Sequence, residues 1–232
     1  MQQANDVIEL AAPTGPKISR ELLGLVQVPR LAMRSPKLID LPRGDQTVVA
    51  FPGFGTNDLF TFPLRSALSA LGHTTFGWGF GVNKSQVEEM LDSATAMVER
   101  HVDATGQPAA LIGWSNGGVF AREVARDRPD LVTRVLTYGT PVVGGPKYTR
   151  GVALFSDKEV DRIDAVVAER NLIPIERPIT AFYSRADVIV DWRACIDAFS
   201  PDVENIEVRS THAAMGIDPD IWERIALRLA ER

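Results

Sequence analysis

The sequence of 232 residues contains a single cysteine, Cys195. An intramolecular disulfide and a Cys-x-x-Cys metal or redox site are therefore excluded. No cluster of lysine or arginine stands out, and acidic residues outnumber basic ones by 30 to 25, which argues against a nucleic-acid partner. No apolar run is long enough to span a bilayer, and the first residues lack the pattern of a signal peptide. We therefore expect a cytoplasmic protein without stable membrane insertion.

The composition, with 45% apolar and 24% charged residues, is typical of a globular protein, and the length suits one domain with a sizeable core. From residue 46 onward, short apolar runs alternate with amphipathic helical patterns. Strands that are apolar throughout and separated by helices indicate a mostly parallel sheet with helices on both faces. We assign residues 46–232 to one α/β domain, residues 1–45 to an N-terminal extension packed on it, and residues 144–177 to a small helical cap insertion.

Three segments carry signals for the first turn of a helix. A Ser-x-x-Glu capping box occurs at residues 85–88 and again at residues 156–159, where it precedes an apolar helical stripe. Asp218 followed by proline indicates the start of the last helix. The second capping box lies inside the cap insertion, so we expect that insertion to contain a helix.

The decisive motif is the G-W-S-N-G sequence at residues 113–117, between an expected strand and an expected helix. This is the context of a nucleophile elbow, in which the small residues on either side of the serine let strand and helix pass closely. Such a turn exposes the hydroxyl and directs the next backbone N–H toward an oxyanion. Ser115 is the predicted nucleophile. The alternative is a serine in an ordinary glycine-rich turn.

The base must be one of three histidines, which are His73, His101 and His212. In this type of site the acid and then the histidine follow the serine along the chain, so only His212 qualifies. Asp187 follows an expected strand after a short turn and is the predicted acid. Asp191 is the alternative, although its position indicates a helix N-cap.

An oxyanion hole needs a second backbone N–H, from the loop after an early strand. The F-P-G-F-G sequence at residues 51–55 fits, and Phe54 would donate beside Asn116. A dinucleotide-binding loop is the alternative, but the third glycine of that fingerprint is missing. Aromatic residues near the strand ends favour an uncharged, apolar acyl group, with Trp78 and Trp114 as predicted substrate contacts. Core packing is the competing role for such rings.

The chain resembles the bacterial lipase and esterase branch of the α/β-hydrolase superfamily. The resemblance rests on five segments between residues 51 and 216, namely FPGFGTND, GWSNGG, TYGTPVVGG, FYSRADVIVDW and STHAAMG. It implies the α/β-hydrolase fold and cleavage of a small-molecule ester through an acyl-enzyme, without metal or cofactor. It departs from many relatives at residues 51–52, which are Phe-Pro instead of His-Gly, and residues 1–45 match no part of the pattern.

Two further functions are compatible with the same residues. An acyltransferase or a thioesterase would use the same triad with a different acceptor or acyl donor. A non-catalytic binding module would keep the fold, although it would not need all three triad residues.

Overall fold

A computed structural model describes residues 10–14 and 18–231, and its six strands form a single parallel sheet. The strands are β1 (Thr47–Phe51), β2 (Thr74–Phe76), β3 (Ala109–Trp114), β4 (Val132–Tyr138), β5 (Ile179–Ser184) and β6 (Val203–Val208). Their order in the sheet is β2-β1-β3-β4-β5-β6. The parallel sheet expected from the alternating apolar and amphipathic segments is confirmed.

Helices surround this sheet. The α-helices are α1 (Gln27–Ile39), α2 (Asp58–Ala70), α3 (Val87–Thr105), α4 (Asn116–Asp127), α5 (Asp157–Arg170) and α6 (Pro219–Ala230). Short 3₁₀ helices cover Ile18–Val26, Pro129–Leu131, Gly145–Tyr148, Arg150–Leu154, Trp192–Cys195 and Ala213–Ile217. Within the described ranges, no helix has the length and apolar character needed to cross a membrane.

The central strand β3 shows why helices cover both faces. Ala110, Ile112 and Trp114 pack into an apolar core with side chains of α1, α2 and α6. The intervening residues Ala109 and Leu111 pack into a second core with α3 and α4. Successive side chains of a strand point to opposite faces, so a strand that is apolar throughout is stable only between two helical layers.

Helix starts follow the sequence signals at two of the three positions. Ser156 forms the expected capping box of α5, and Asp218 caps α6. The capping box predicted at residues 85–88 is wrong, because Gln86 is the N-cap of α3 and makes no side-chain cap bond. Ser85 instead has a φ of 62°, and its hydroxyl accepts a 3.0 Å hydrogen bond from the Asn116 side chain.

The connection from β4 to β5 contains two 3₁₀ helices and α5. Arg162 of α5 pairs with Glu88 at the start of α3, at 2.7 Å. Arg170, the last residue of α5, pairs with Glu123 and Asp127 near the end of α4. These ion pairs connect the middle and the end of α5 to the helices that cover one face of the sheet.

A buried ion pair joins α4, which follows Ser115 directly, to the segment that follows β5. The side chains of Arg122 and Asp197 are 3% and 0% exposed. Asp197 also accepts the backbone N–H of Phe199 at 3.0 Å. This buried pair links α4, which follows Ser115, to the connection between β5 and β6, which also contains Asp187.

We expect Arg122→Met to lower the free energy of unfolding by about 3–5 kcal/mol, because it leaves the buried Asp197 carboxylate without its charged partner. The control is Arg128→Met, which removes a surface pair with Asp130, whose side chain is 61% exposed. That change should leave the urea midpoint nearly unchanged. Urea denaturation of both variants measures the contrast, and equal effects would contradict it.

Candidate active site

Ser115 occupies the turn between β3 and α4 with a φ of 52° and a ψ of −124°. A residue with a β-carbon is strained in this region of backbone space and stays there only when its surroundings enforce it. Here the Ser115 N–H donates to the Tyr138 carbonyl at 2.9 Å, and its carbonyl accepts the Gly118 N–H at 3.0 Å. The strained turn between strand and helix is the backbone geometry of a nucleophile elbow.

Glycines on both sides of Ser115 are required by close backbone contacts. A β-carbon on Gly113 would collide with the backbone of Gly118, and one on Gly117 would collide with the carbonyl oxygens of Phe51 and Pro52. The first contact brings β3 and α4 together across the turn. The second places the loop after β1 directly against the N-terminus of α4, where the predicted oxyanion donors lie.

Asp187 and His212 form a buried pair, with exposed fractions of 8% and 5%. His212 Nδ1 lies 2.6 Å from Asp187 Oδ2. The other oxygen, Asp187 Oδ1, accepts the N–H groups of Ile189 and Val190 at 2.8 and 2.9 Å. Because backbone donors hold one carboxylate oxygen, the other is fixed toward the ring. Nδ1 is then the donor and Nε2 remains available as a base.

The electrostatic surroundings of His212 act in opposite directions. Burial by itself would lower the pKa of His212. The negative charge and hydrogen bond of Asp187, together with the charge of Glu21, outweigh that effect and raise the pKa above its usual range. An imidazole with a raised pKa is a stronger base, and its protonated form is stabilised within the site.

Trp114 connects two parts of the site. One is the turn between β3 and α4 that contains Ser115 (the nucleophile turn), and the other is the segment of residues 209–218 that contains His212 (the histidine loop). The Trp114 indole N–H donates to the His212 carbonyl at 3.2 Å, and the two rings are 5.6 Å apart. The imidazole also lies against Gly139, at the end of β4. Among the described residues no direct hydrogen bond joins the Ser115 hydroxyl to His212. In serine enzymes without substrate this bond is often long and shortens on binding.

The two predicted oxyanion donors both lie at the nucleophile turn. Asn116 is the first residue of α4, and Phe54 lies in the loop that contacts Gly117. Among the described hydrogen bonds, neither of these two backbone N–H groups has an acceptor. Free donors at a helix N-terminus and in the adjoining loop are suited to stabilise a developing negative charge.

Asn83 is a residue of this site that the sequence analysis missed. It is fully buried, and its side-chain amide donates to the Pro52 carbonyl at 2.8 Å. Its backbone exchanges hydrogen bonds with Gly55 and Thr56, both at 2.8 Å. Asn83 thus holds the loop with Phe54 at both ends. No sequence signal could have found it, because an asparagine after glycines is typical of any turn.

The two tryptophans predicted to contact substrate have different positions. Trp78 is 1% exposed and packs against Phe120 in the core beneath α3 and α4. Its indole N–H donates to the Gly81 carbonyl. The predicted contact of Trp78 with a substrate is therefore corrected: the ring is held inside the protein by its packing on Phe120 and its bond to Gly81. Trp114 is also buried, but it stacks on the half-exposed ring of Phe60 at 5.4 Å.

The remaining acids and histidines have structural positions. Asp191 accepts the Arg193 N–H at 3.0 Å, the helix-capping contact expected for it. His73 is buried beneath Gly44, and His101 stacks on Phe76 at 3.8 Å. Across residues 10–14 and 18–231, no three His, Cys, Asp or Glu side chains are grouped so that they could hold a metal ion.

This geometry predicts an activated serine. A fluorophosphonate probe should label Ser115 covalently, because the basic His212 would take the hydroxyl proton while the serine oxygen attacks phosphorus and fluoride leaves. Ser115→Ala should abolish labelling, and His212→Gln should slow it by orders of magnitude. Ser69→Ala is the control, because Ser69 is an exposed serine near the end of α2. Mass spectrometry locates the label, and labelling elsewhere with Ser115 unmodified would contradict the assignment.

Comparison with known proteins gives fold relatives but no sequence relatives. No protein-family model matches the chain, and no curated protein sequence matches it. Solved structures do. One, from a study of the metagenome-derived lipolytic enzymes LipS and LipT, has a TM-score of 0.65 and 15% identity over 83% of this chain and 96% of that one. A monoacylglycerol lipase of Paleococcus ferrophilus has a TM-score of 0.57 and 15% identity, over 81% and 95%.

A third solved structure is described as an alpha/beta hydrolase enzyme, MGS-MChE2, from a lagoon-sediment metagenome. It has a TM-score of 0.54 and 16% identity, over 81% of this chain and 91% of its own. At these identities the likeness concerns the fold, and it confirms the fold class expected from the sequence. The strand order, the elbow after β3 and these neighbours together show that the chain has the α/β-hydrolase fold.

Proposed function

We propose that this protein is a serine hydrolase that cleaves a carboxylic ester through an acyl-enzyme. One observation carries the proposal. The strained Ser115 lies beside unpaired backbone N–H donors, at the carboxyl ends of the strands, where the buried Asp187–His212 pair also lies. Support at the level of the fold comes from the neighbours, which include lipolytic enzymes and a monoacylglycerol lipase.

In the proposed reaction, the Ser115 hydroxyl attacks the ester carbonyl carbon while His212 Nε2 takes the hydroxyl proton. The carbonyl oxygen becomes an oxyanion and accepts hydrogen bonds from the N–H groups of Phe54 and Asn116. As the intermediate collapses, the bond to the leaving alkoxide breaks and His212 returns the proton to it. Water then attacks the acyl-enzyme with the same proton transfers and releases the acid. Asp187 remains ionised and stabilises the imidazolium.

The substrate we propose has an apolar, uncharged acyl group. The support is the exposed apolar surface near the nucleophile turn: Phe54, Leu59 and Phe60 are 47%, 76% and 53% exposed. Phe60 stacks on Trp114, which directly precedes Ser115. Apolar side chains that stay in water are stabilised when an apolar ligand covers them. A charged acyl group would lose its hydration there without gaining a partner.

We also propose that residues 144–177 act as a cap that borders the site, separate from the N-terminal extension of residues 1–45. The support is their contact with the turn after Asp187. Thr149 forms an isolated antiparallel bridge with Val190, and the Arg150 N–H donates to the Ile189 carbonyl at 2.8 Å. Movement of this segment would therefore be transmitted to the acid side of the triad.

The choice of acid can be tested with two isosteric changes. Asp187→Asn should lower kcat for aryl ester hydrolysis by about 10⁴-fold, because the amide cannot hold His212 in the required tautomer. Asp191→Asn should keep activity within a few-fold and leave the free energy of unfolding nearly unchanged, because asparagine caps a helix about as well as aspartate. Steady-state kinetics and urea denaturation measure the two effects. An inactive Asp191 variant beside an active Asp187 variant would overturn the assignment.

The acyl preference can be tested with aryl esters of increasing chain length. We expect kcat/KM to rise by about fourfold per methylene, the equivalent of about 0.8 kcal/mol, until the pocket ends. Phe60→Ala should flatten this rise, because it removes an exposed ring beside the nucleophile turn. The control is Phe199→Ala, which removes a ring that is 38% exposed near the buried Asp197. A flat profile in the native protein, or a preference for charged acyl groups, would refute the apolar site.

A further inference from the structure

Residues that precede the α/β domain reach the histidine loop directly. The Glu21 carboxylate, in the 3₁₀ helix Ile18–Val26, accepts two backbone N–H groups, from His212 at 3.3 Å and from Ala213 at 2.9 Å. These N–H groups lie at the start of the 3₁₀ helix Ala213–Ile217. A carboxylate that accepts hydrogen bonds at this point fixes the backbone that carries the His212 ring.

Further contacts hold the same loop on either side of His212. We call the contacts of residues 21–34 with this loop and with the start of α6 the clamp. Gly24 packs so closely on Thr211 and Ala214 that a β-carbon at this position would collide with both side chains. The Gln27 side-chain amide donates to the Ser210 hydroxyl at 2.7 Å, and this bond is buried.

The clamp continues to the start of α6. The Ser210 hydroxyl donates to the buried Asp218, which caps that helix. Arg30 of α1 lies 3.9 Å from Asp218 and pairs with Asp220 at 2.7 Å. Residues 18–39 therefore hold the loop of His212 from its first residue to its last.

Two negative charges act on the His212 ring. Asp187 approaches from the turn after β5, and Glu21 approaches from the segment before α1. The other charged groups in the clamp pair with one another where α1 meets the start of α6, and they are Arg30, Arg34, Asp218, Asp220 and Glu223. A carboxylate near a buried imidazole stabilises its protonated form, which is why both Asp187 and Glu21 raise the pKa of His212.

We propose that Glu21 is a positioning residue of the active site, which holds the His212 loop through two backbone hydrogen bonds and adds a second negative charge beside the imidazole. This inference rests on the proposed function, in which His212 is the general base. It assigns a role to the N-terminal segment, which matches no part of the resemblance to lipases and esterases.

The two parts of this role can be separated by substitution. Glu21→Gln removes the charge and keeps one oxygen, which can accept one of the two backbone N–H groups. Glu21→Ala removes the charge and both oxygens. The base must be neutral to accept a proton, so the acid limb of kcat/KM follows the pKa of His212 in the free enzyme. Without the Glu21 charge this pKa falls, and the acid limb moves to lower pH.

The experiment compares the native protein with these two variants and with Glu223→Gln. Glu223 pairs with Arg34 of α1, so this control also removes one negative charge from the clamp, but its charge is not among those that act on His212. We expect Glu21→Gln to shift the acid limb to lower pH with a smaller loss of the plateau than in Glu21→Ala, because one of the two backbone hydrogen bonds can remain. Glu21→Ala should show the shift and a plateau lower by about 10- to 100-fold, since a misplaced base is costly. Glu223→Gln should show neither effect.

A titration of the histidine Cε1–H signals by NMR gives a readout independent of catalysis. The chain has three histidines, and burial lowers the pKa of His73 and of His101, whereas that of His212 is raised. The signal lost in His212→Gln identifies the catalytic ring. We expect its midpoint to fall in Glu21→Gln and to stay in place in Glu223→Gln.

The outcomes distinguish the two hypotheses. An unchanged midpoint and an unchanged acid limb in Glu21→Gln would overturn the role of Glu21, while ester hydrolysis lost in Ser115→Ala would leave the proposed function intact. A protein without esterase activity whose His212 midpoint still falls in Glu21→Gln would refute the proposed function and keep the electrostatic contact.

Discussion

The close approach of β3 and α4 across Ser115 is the constraint on which the rest of the site depends. Without side chains at Gly113 and Gly118, the two backbones touch, and the serine between them is forced to a positive φ. Neighbouring structure stabilises this strain, since the Ser115 N–H is bound by β4 and Gly117 lies against the loop after β1. Three adjacent strands thus determine where the hydroxyl points.

A second strained residue is connected to the first. Among the described residues other than glycine, Ser85 and Ser115 alone have a positive φ. The Asn116 side chain donates to the Ser85 hydroxyl, and the Ser85 N–H donates to the Asn83 side chain at 2.9 Å. Asn83 in turn holds the loop with Phe54. The position of one proposed oxyanion donor is therefore coupled, through two side-chain amides, to the turn that carries the proposed nucleophile and the other proposed donor.

The sequence could predict those parts of the protein that depend on local patterns. The strands are apolar throughout because both faces are buried, and the elbow is recognisable because its glycines have fixed spacing. Asp187 and His212 could be chosen from chain order and their position after strands. The 2.6 Å contact between them joins residues that are 25 positions apart, so no local pattern could predict it.

Other features could not be predicted, because they depend on contacts between distant parts of the chain. Asn83 and Glu21 act through hydrogen bonds to backbone groups that are 31 and 191 residues away. Ser85 matches the sequence of a capping box, but its N–H donates to the Asn83 side chain and its hydroxyl accepts from the Asn116 side chain. Trp78 lies between glycines in a loop, which suggested a cleft residue, and only its contact with Phe120 of α4 shows that it belongs to the core.

The contact between α1 and α6 has a consequence for the order in which the site is completed during synthesis. Arg30 and Asp220 are separated by 190 residues, so the ion pair between them forms only after nearly the whole chain has been made. The backbone contacts of the nucleophile turn come from β1, β3, β4 and α4, whereas the histidine loop has its clamp only when the last helix docks. The proposed base would therefore be held in place only after the whole domain has folded, and hydrolytic competence would arise at that point.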